Sequence, residues 1–277
     1  MSNNNNYSGK NSVNQLEREM IEVLHELKDV YGAVSVKAEF EAEGTRTDEL
    51  LRLIDLARRV GLKVALKIGG CEAVRDLIES KQFGTEYIIA PMVETNYALK
   101  KFILAVNKVY SKDQQTTTDF LFNCETINSY NFLNEMVETA KNATEVQGIV
   151  FGRVDFVTSM GMSRAKINTP ELSKYVLEVA NKCKESNLDF VVGGGVAIES
   201  IPYLKEMRSI HLSRFETRKV VFSSDALDNP NMEKGLEKTV YFELLWLKNK
   251  HQYYQEITNE DNSRIAMLDA RWKELSR

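Results

Sequence analysis

The sequence predicts an α/β fold of the TIM type, a (β/α)8 barrel. Two observations carry this. Seven short apolar runs recur along the chain, each separated from the next by a helical stretch. Strict alternation of this kind implies parallel strands in a barrel or an open doubly wound sheet. The 277 residues also lie close to the roughly 250 of a typical barrel.

The elements follow in order. Residues 14–30 place Leu16, Met20, Val23, Leu24 and Leu27 at helical spacing, and Gly32 stops the helix. AVSVKAEFE (33–41) reads as a strand. A helix near 47–60 starts at Thr47, with Asp48 and Glu49 at the positive end of its dipole. Strands are expected at 63–70, 86–92, 118–125, 148–155, 188–195 and 209–213, with helices near 71–81, 94–110, 128–141 and 197–207 between them. Thr169-Pro170-Glu171 is a strong helix start, and that helix should run to about 186. RKVVFS (218–223) looks like a strand, but only four residues separate it from 209–213. A parallel neighbour needs a crossover of a dozen or more. The segment could therefore begin a helix, extend the seventh strand, or fill the place of a missing first strand after a permuted connection. Two helices close the chain, one aromatic-rich over 231–257 and one polar over 259–276. The expected organisation is a tail over 1–13, a barrel over 14–230 and C-terminal helices over 231–277 that serve as an oligomer contact.

The net charge of −4 disfavours nucleic acid as a partner, since such binders usually present a basic face. No apolar run reaches the ~20 residues of a membrane span, and the polar first thirteen residues lack the apolar core of a signal peptide. Cys71, Cys124 and Cys183 are odd in number and widely spaced, which argues against a disulfide framework or a zinc site. A cytoplasmic protein with no nucleic-acid or membrane partner is expected.

Sites in such folds form where strands end and loops begin. The strand ends supply Glu39 and Glu41, then Lys67, then Asn123 and Glu125, then Arg153 and Asp155, and finally Gly193, Gly194 and Gly195. Side chains alternate along a strand, so Asn123 shares a face with Glu125, and Arg153 with Asp155. Two carboxylates on successive strand ends can meet across one site and hold Mg2+ or Mn2+. They can equally form structural ion pairs with Arg153 or Lys67. The glycine run could receive a phosphate or carboxylate on its backbone N–H groups, or could simply make a tight turn. Cys124 points away from Glu125 into the core. His25 and His251 fall in helices, and His211 could reach the pocket only if it faces inward. Glu216-Thr217-Arg218-Lys219 could line the mouth of the barrel.

Four segments, ALKIGGCEA, IIAPMVET, LFNCETINSYNFLNEM and IVFGRVDFVTSMG, occur in this order and spacing. Together they resemble the HpcH/HpaI aldolase and citrate lyase β-subunit family of the phosphoenolpyruvate/pyruvate-binding barrels. The resemblance covers about 33–215 and is best over 86–161. It implies that Glu125 and Asp155 are the metal carboxylates, with Ser159 and Gly161 in the loop after Asp155. It places Asn123 where the family keeps a glutamine near the metal. Glu39 or Glu41 stands where the family keeps an acid working through water. The implied chemistry is enolate formation from a pyruvate-like 2-oxo acid on Mg2+ or Mn2+, in a homo-oligomer.

One position departs from the family. Lys67 stands where an arginine usually meets the substrate carboxylate, and a lysine cannot make the two-pronged contact. Lys67 could hold a carboxylate as a point charge or act as a base or Schiff-base amine. Alternatively Arg153 could supply the fork. The catalytic set read from the sequence is thus Lys67, Glu39, Arg153 and Asn123, with Gly193, Gly194 and Ser159 on substrate. The expected function is a metal-dependent carbon–carbon lyase or aldolase. The competing readings are a phosphoenolpyruvate-using transferase or hydrolase on the same barrel, and a non-catalytic scaffold.

Overall fold

The structure, a computed structural model, describes residues 13–276. Eight strands close a barrel in chain order: β1 (Ala33–Glu39), β2 (Lys63–Lys67), β3 (Tyr87–Ala90), β4 (Asp119–Cys124), β5 (Gly148–Gly152), β6 (Asp189–Gly193), β7 (Arg214–Glu216) and β8 (Val220–Ser223). The helices are α1 (Gln15–Asp29), α2 (Thr47–Arg59), α3 (Val74–Phe83), α4 (Asn96–Val109), α5 (Ile127–Asn131), α6 (Leu133–Asn142), α7 (Arg153–Ser159), α8 (Pro170–Glu185), α9 (Ile201–Ile210) and α10 (Met232–Leu275). The tail read over 1–13 lies outside the described residues except for Val13, which is buried. No helix among the described residues is long and apolar enough to cross a membrane.

The first seven strands are parallel, and β8 runs antiparallel to both β7 and β1. This resolves the eighth strand in a way the crossover argument did not foresee. Residues 217–219 form a hairpin turn in which the Thr217 N–H donates to the Val220 carbonyl at 2.9 Å, so no crossover is needed. The seventh strand also moves. Residues 209–210 complete α9, and the strand is Arg214–Glu216 instead of 209–213. The last two expected helices are one. α10 is 44 residues long and has no Gly or Pro after Gly235 to end it.

Alternation along the strands sorts the interior into layers. Ala65, Ile89, Leu121, Val150, Val191 and Val221 point inward and pack as one apolar layer across the barrel. The outward faces carry Phe120, Phe122, Phe151, Phe190, Phe215 and Phe222, all fully buried beneath the helices. Each contributes roughly 1.5–3 kcal/mol relative to exposure. One step above the apolar layer, towards the strand C-termini, the inward positions turn polar: Lys37 and Glu39 on β1, Lys67 on β2, Asn123 on β4 and Glu216 on β7. The apolar layer floors a charged cup.

α10 fixes what covers one rim of that cup. It starts beside Tyr31, where a Cβ on Gly235 would stand 2.9 Å from the tyrosine ring. It packs along α1 and passes the mouth at Thr239, Val240 and Glu243. Tyr254 then donates to Glu49 at 2.5 Å. From Gln255 to Ser276 every residue is exposed.

Candidate active site at the mouth of the barrel

The charged cup opens as a cavity of about 460 Å3. Six carboxylates line it, on Glu39, Glu41, Glu125, Asp155, Glu216 and Glu243, against four cations, Lys37, Lys67, Arg164 and Arg218.

Glu125 is the most deeply set acid, at 1% exposure. It lies just past the end of β4, and three neighbours fix it. The Met92 N–H donates to Oε1 at 2.8 Å, Asn123 Nδ2 donates to Oε2 at 2.6 Å, and Lys67 Nζ stands 3.4 Å from Oε2. Met92 turns its N–H inward by adopting φ +49°, a left-handed conformation uncommon outside glycine. Two N-caps hold the flanking loops. Thr95 Oγ1 accepts from Ala98 N, and Thr126 Oγ1 accepts from Ser129 N. Thr126 Oγ1 also donates to Glu94 at 2.8 Å, tying the two loops together. Gly152 provides the room. A Cβ there would stand 2.8 Å from the Glu125 Cβ and 2.9 Å from Oε2. Burial pushes the Glu125 carboxyl above its ordinary range, against the opposing pull of Lys67, Met92 N–H and Asn123.

The other charges alternate around the cup. Lys37 Nζ bridges Glu216 at 2.6 Å and Glu39 at 3.2 Å. Lys67 Nζ bridges Glu125 and Glu41, the latter at 3.2 Å. Burial opposes the charge on Lys67, but Glu125, Glu39 and Glu41 outweigh it and raise its pKa. Arg218 pairs with Glu43 and Glu243, and Lys219 with Glu43. Arg164 makes no ion pair among the described residues.

Of the residues picked from sequence, Lys67, Glu39, Asn123, Glu125, Asp155, Gly193 and Gly194 all line this one cavity. Glu41 joins them beside Glu39. Arg153 does not. Strand β5 stops at Gly152 and α7 begins, so the period changes from 2 to 3.6 and Arg153 no longer shares a face with Asp155. Arg153 is fully buried behind the wall, where it donates to Gly193 O at 3.1 Å, Asn168 Oδ1 at 2.8 Å and Ser200 Oγ at 3.3 Å. It has no free fork for a substrate. Ser159 is also turned away, donating to Phe156 O and accepting from Ile127 N. His211 bonds the Leu188 carbonyl outside the cavity. The sequence reading missed Lys37, Arg164 and the α10 residues. Lys37 was within reach of it, standing two residues before Glu39 on the same strand face.

A family model, HpcH/HpaI aldolase/citrate lyase, matches residues 29–201. The chain belongs to the HpcH/HpaI aldolase/citrate lyase family. A lyase- or aldolase-type function follows from that membership. No curated protein matches significantly. Among solved structures, an HpcH/HpaI aldolase from Desulfitobacterium hafniense DCB-2 is 11% identical with a TM-score of 0.58, covering 81% of this chain and 88% of its own. An HpcH/HpaI aldolase/citrate lyase family protein from Burkholderia cenocepacia J2315 is 11% identical with a TM-score of 0.60, covering 87% and 90%. The citrate synthase SbnG is 13% identical with a TM-score of 0.56, covering 72% and 81%. At these identities the likeness establishes the barrel alone.

Members of the HpcH/HpaI family generally depend on a divalent metal, and the donor set here fits one. Glu125 and Asp155 face the same cavity, and Asn123 Oδ1 is buried with no hydrogen-bond partner among the described residues. Six carboxylates against four cations leave a formal excess of two negative charges. No group of three or more His, Cys, Asp or Glu among the described residues is gathered for a metal. Carboxylate oxygens with water completing the shell are the donors that a hard ion such as Mg2+ or Mn2+ takes.

The cysteines stand apart from this chemistry. Burial pushes Cys124 up to about 12 and raises Cys183 as well, while Cys71 is half-buried and also raised by burial. Thiolates are the reactive form. Iodoacetamide at pH 8 is expected to label the native protein slowly at Cys71 and to reach the other two only after unfolding, as peptide mass spectrometry would show.

Proposed function

We propose that this chain is a divalent-metal-dependent carbon–carbon lyase or aldolase that works on a pyruvate- or oxaloacetate-type 2-oxo acid through its enolate. The observation that carries the reading is the pair Glu125 and Asp155 on one cavity with excess negative charge. Mg2+ or Mn2+, when bound, would draw electrons from the 2-oxo carbonyl and stabilise negative charge on its oxygen. Glu125 and Asp155 would hold that ion, with Asn123 fixing the rotamer of Glu125. Lys67 is an electrostatic anchor for the substrate carboxylate. Its pKa is raised, whereas a Schiff-base amine needs a lowered one. Glu39 and Glu41 are the acids placed to move a proton at the carbon where the bond breaks or forms. Both stand beside Lys67, and Glu39 is kept ionised against burial by Lys37 and Lys67.

Thermal unfolding with Mn2+ or Mg2+, with and without oxalate as a pyruvate-enolate mimic, tests this. At about a hundred times the dissociation constant, ligand linkage gives ~2.7 kcal/mol, a rise on the order of 5 °C in a chain of this size. The rise should need the metal, grow with oxalate and vanish in Asp155→Asn. A flat response would sink the metal reading. Pyruvate released from oxaloacetate supports the lyase, phosphate released from phosphoenolpyruvate would favour a transferase or hydrolase, and a borohydride-trapped pyruvate adduct on Lys67 would replace the metal–enolate route.

The reading includes a homo-oligomer assembled through α10. Its projecting half carries Ile257, Ile265, Leu268, Trp272 and Leu275 exposed at helical spacing. An isolated helix of about twenty residues gains little stability from propensity alone. A double Leu268→Lys, Trp272→Lys variant is expected to drop to a smaller assembly in light scattering while keeping its barrel.

A further inference from the structure

Lys37 is a buried lysine on an inward position of β1, in register with Ala65 of the apolar layer. A charge in such a place needs carboxylate partners, and it has two. Its Nζ donates to Glu216 Oε1 at 2.6 Å and pairs with Glu39 Oε1 at 3.2 Å. Glu216 stands on β7, so the contact spans the intervening strand β8. The Lys37 N–H also donates to the Lys219 carbonyl at 2.9 Å, tying β1 to the hairpin that carries Glu216. Glu216 is confined in turn. A Cβ on Gly193 would stand 2.7 Å from its Oε1 and 2.9 Å from its Cγ, so the bare backbone there leaves the space the carboxylate fills. Lys37 therefore has one place to put its ammonium group. Burial opposes its charge, but Glu216 and Glu39 outweigh burial and raise its pKa.

Glu39 and Glu41 are held to different degrees. Glu39 closes β1 in register with Lys67, and its carbonyl accepts from the Thr45 N–H at 3.2 Å. The ion pair with Lys37 engages Oε1 and leaves Oε2 without a hydrogen bond among the described residues. Glu41 lies beyond the strand and is half-buried, and its ion-pair partner Lys67 is shared with Glu125. A general base must be both ionised and aimed. Burial opposes the charge on Glu39, but Lys37 first and Lys67 next hold the carboxyl below its ordinary range.

We infer that Lys37, braced by Glu216, is a positioning residue that aims the Glu39 carboxylate, and that Glu39 and not Glu41 moves the proton at the reacting carbon. The inference rests on the proposed lyase or aldolase reading and decides between its two acids. When pyruvate is deprotonated, a methyl C–H bond breaks, its electron pair passes into the enolate, and the proton goes to Glu39 Oε2. Its return, or replacement from water, completes an exchange.

The test follows Mn2+-dependent exchange of the pyruvate methyl protons in the full chain by NMR. Lys37→Met alone would strand the Glu216 charge in the lumen, so the partners are exchanged together for an apolar pair of similar length, Lys37→Met with Glu216→Met. Glu39→Gln should lower kcat by about a hundredfold or more, the scale of a general base, and Glu41→Gln by less than about tenfold. The paired variant should lower kcat by about tenfold or more, as a misaimed group does, while KM and the Mn2+–oxalate stabilisation stay close to wild type. Adding Glu39→Gln to it should cost less than in the wild type, because Lys37 acts through Glu39. The pH profile adds a readout that a merely structural role would not move. Lys37, Lys67 and Arg218 favour the ionised form of Glu39, and Glu41, Glu125 and Glu216 share those lysines. Without Lys37 the acid limb of kcat should shift to higher pH. Losses that multiply in full, an unmoved acid limb, or a Glu41→Gln loss equal to that of Glu39→Gln would overturn the inference. Wild-type protein that binds Mn2+ and oxalate yet exchanges no methyl protons would count against the lyase or aldolase reading itself, and the inference would fall with it.

Discussion

Glu125→Gln is expected to lower metal-dependent exchange of the pyruvate methyl protons by about a thousandfold or more, the scale of removing a group that stabilises developing charge. The reason the loss should fall on chemistry and not on folding lies in its neighbours. A glutamine keeps the shape of the side chain and can still accept from the Met92 N–H. Lys67 retains Glu41 at 3.2 Å. Asn123, whose Oδ1 is unpartnered now, can rotate its amide and accept from the new NH2 group. Stability should therefore change by less than about 1 kcal/mol at low pH. The sign at neutral pH follows from the raised carboxyl of Glu125. A carboxyl whose folded pKa exceeds its unfolded value stabilises fully below the unfolded value, and that contribution disappears as pH rises through the folded one. Relative to wild type, Glu125→Gln should gain stability as pH rises out of the ordinary carboxylate range. Proton exchange followed by NMR, with melting curves at several pH values, checks both parts. Exchange within tenfold of wild type would remove Glu125 from the mechanism.

Gly152→Ala is expected to reproduce much of that loss without touching a charge. The added Cβ would meet the Glu125 Cβ at 2.8 Å, and a Cβ cannot swing aside as a side-chain tip can. The strand ends must separate, carrying the carboxylate with them. Displacements near 1 Å at a catalytic group can cost about a hundredfold in rate, and overpacking of this kind costs about 1–3 kcal/mol. Gly193→Ala is the matched comparison. Its Cβ would meet Glu216 Cγ at 2.9 Å and Oε1 at 2.7 Å, on β7 and not Glu125, although Gly193 is the register partner of Gly152. Its stability loss should be similar, and its effect on manganese affinity smaller. Calorimetric manganese titration of the two variants separates them.

The barrel was legible because strands buried on both faces read as continuous apolar runs, and most of these strands do. β7 did not, because its three residues are Arg214, Phe215 and Glu216, two of them polar and turned into the lumen. The neighbouring Ile210 and Leu212 drew the start of the strand five residues too early. The single α10 was missed because Thr258 looks like a boundary in composition, yet carries no backbone feature that ends a helix. At the site, the carboxylates could be found from position alone, since acids just beyond apolar runs have few other places to go. Arg153 could not be placed from sequence. Whether it enters the lumen or the wall turns on where β5 gives way to α7, and that lies within the uncertainty of any strand boundary read from pattern. Arg164 gave no signal at all, because the cavity it lines is assembled from segments far apart in the sequence.

The reversed eighth strand has an effect beyond closing the sheet. In a barrel of eight parallel strands the chain leaves the last one at the catalytic end, and the final helix descends to the far end. Here β8 carries the chain downward, so α10 climbs, passes the rim at Glu243 and continues upward as an exposed rod. At about 1.5 Å per residue, the stretch beyond Tyr254 is some 30 Å long. One strand's direction thereby makes the doorway side of the barrel its protruding side, and whatever grips the rod is brought to the threshold through which substrate must pass.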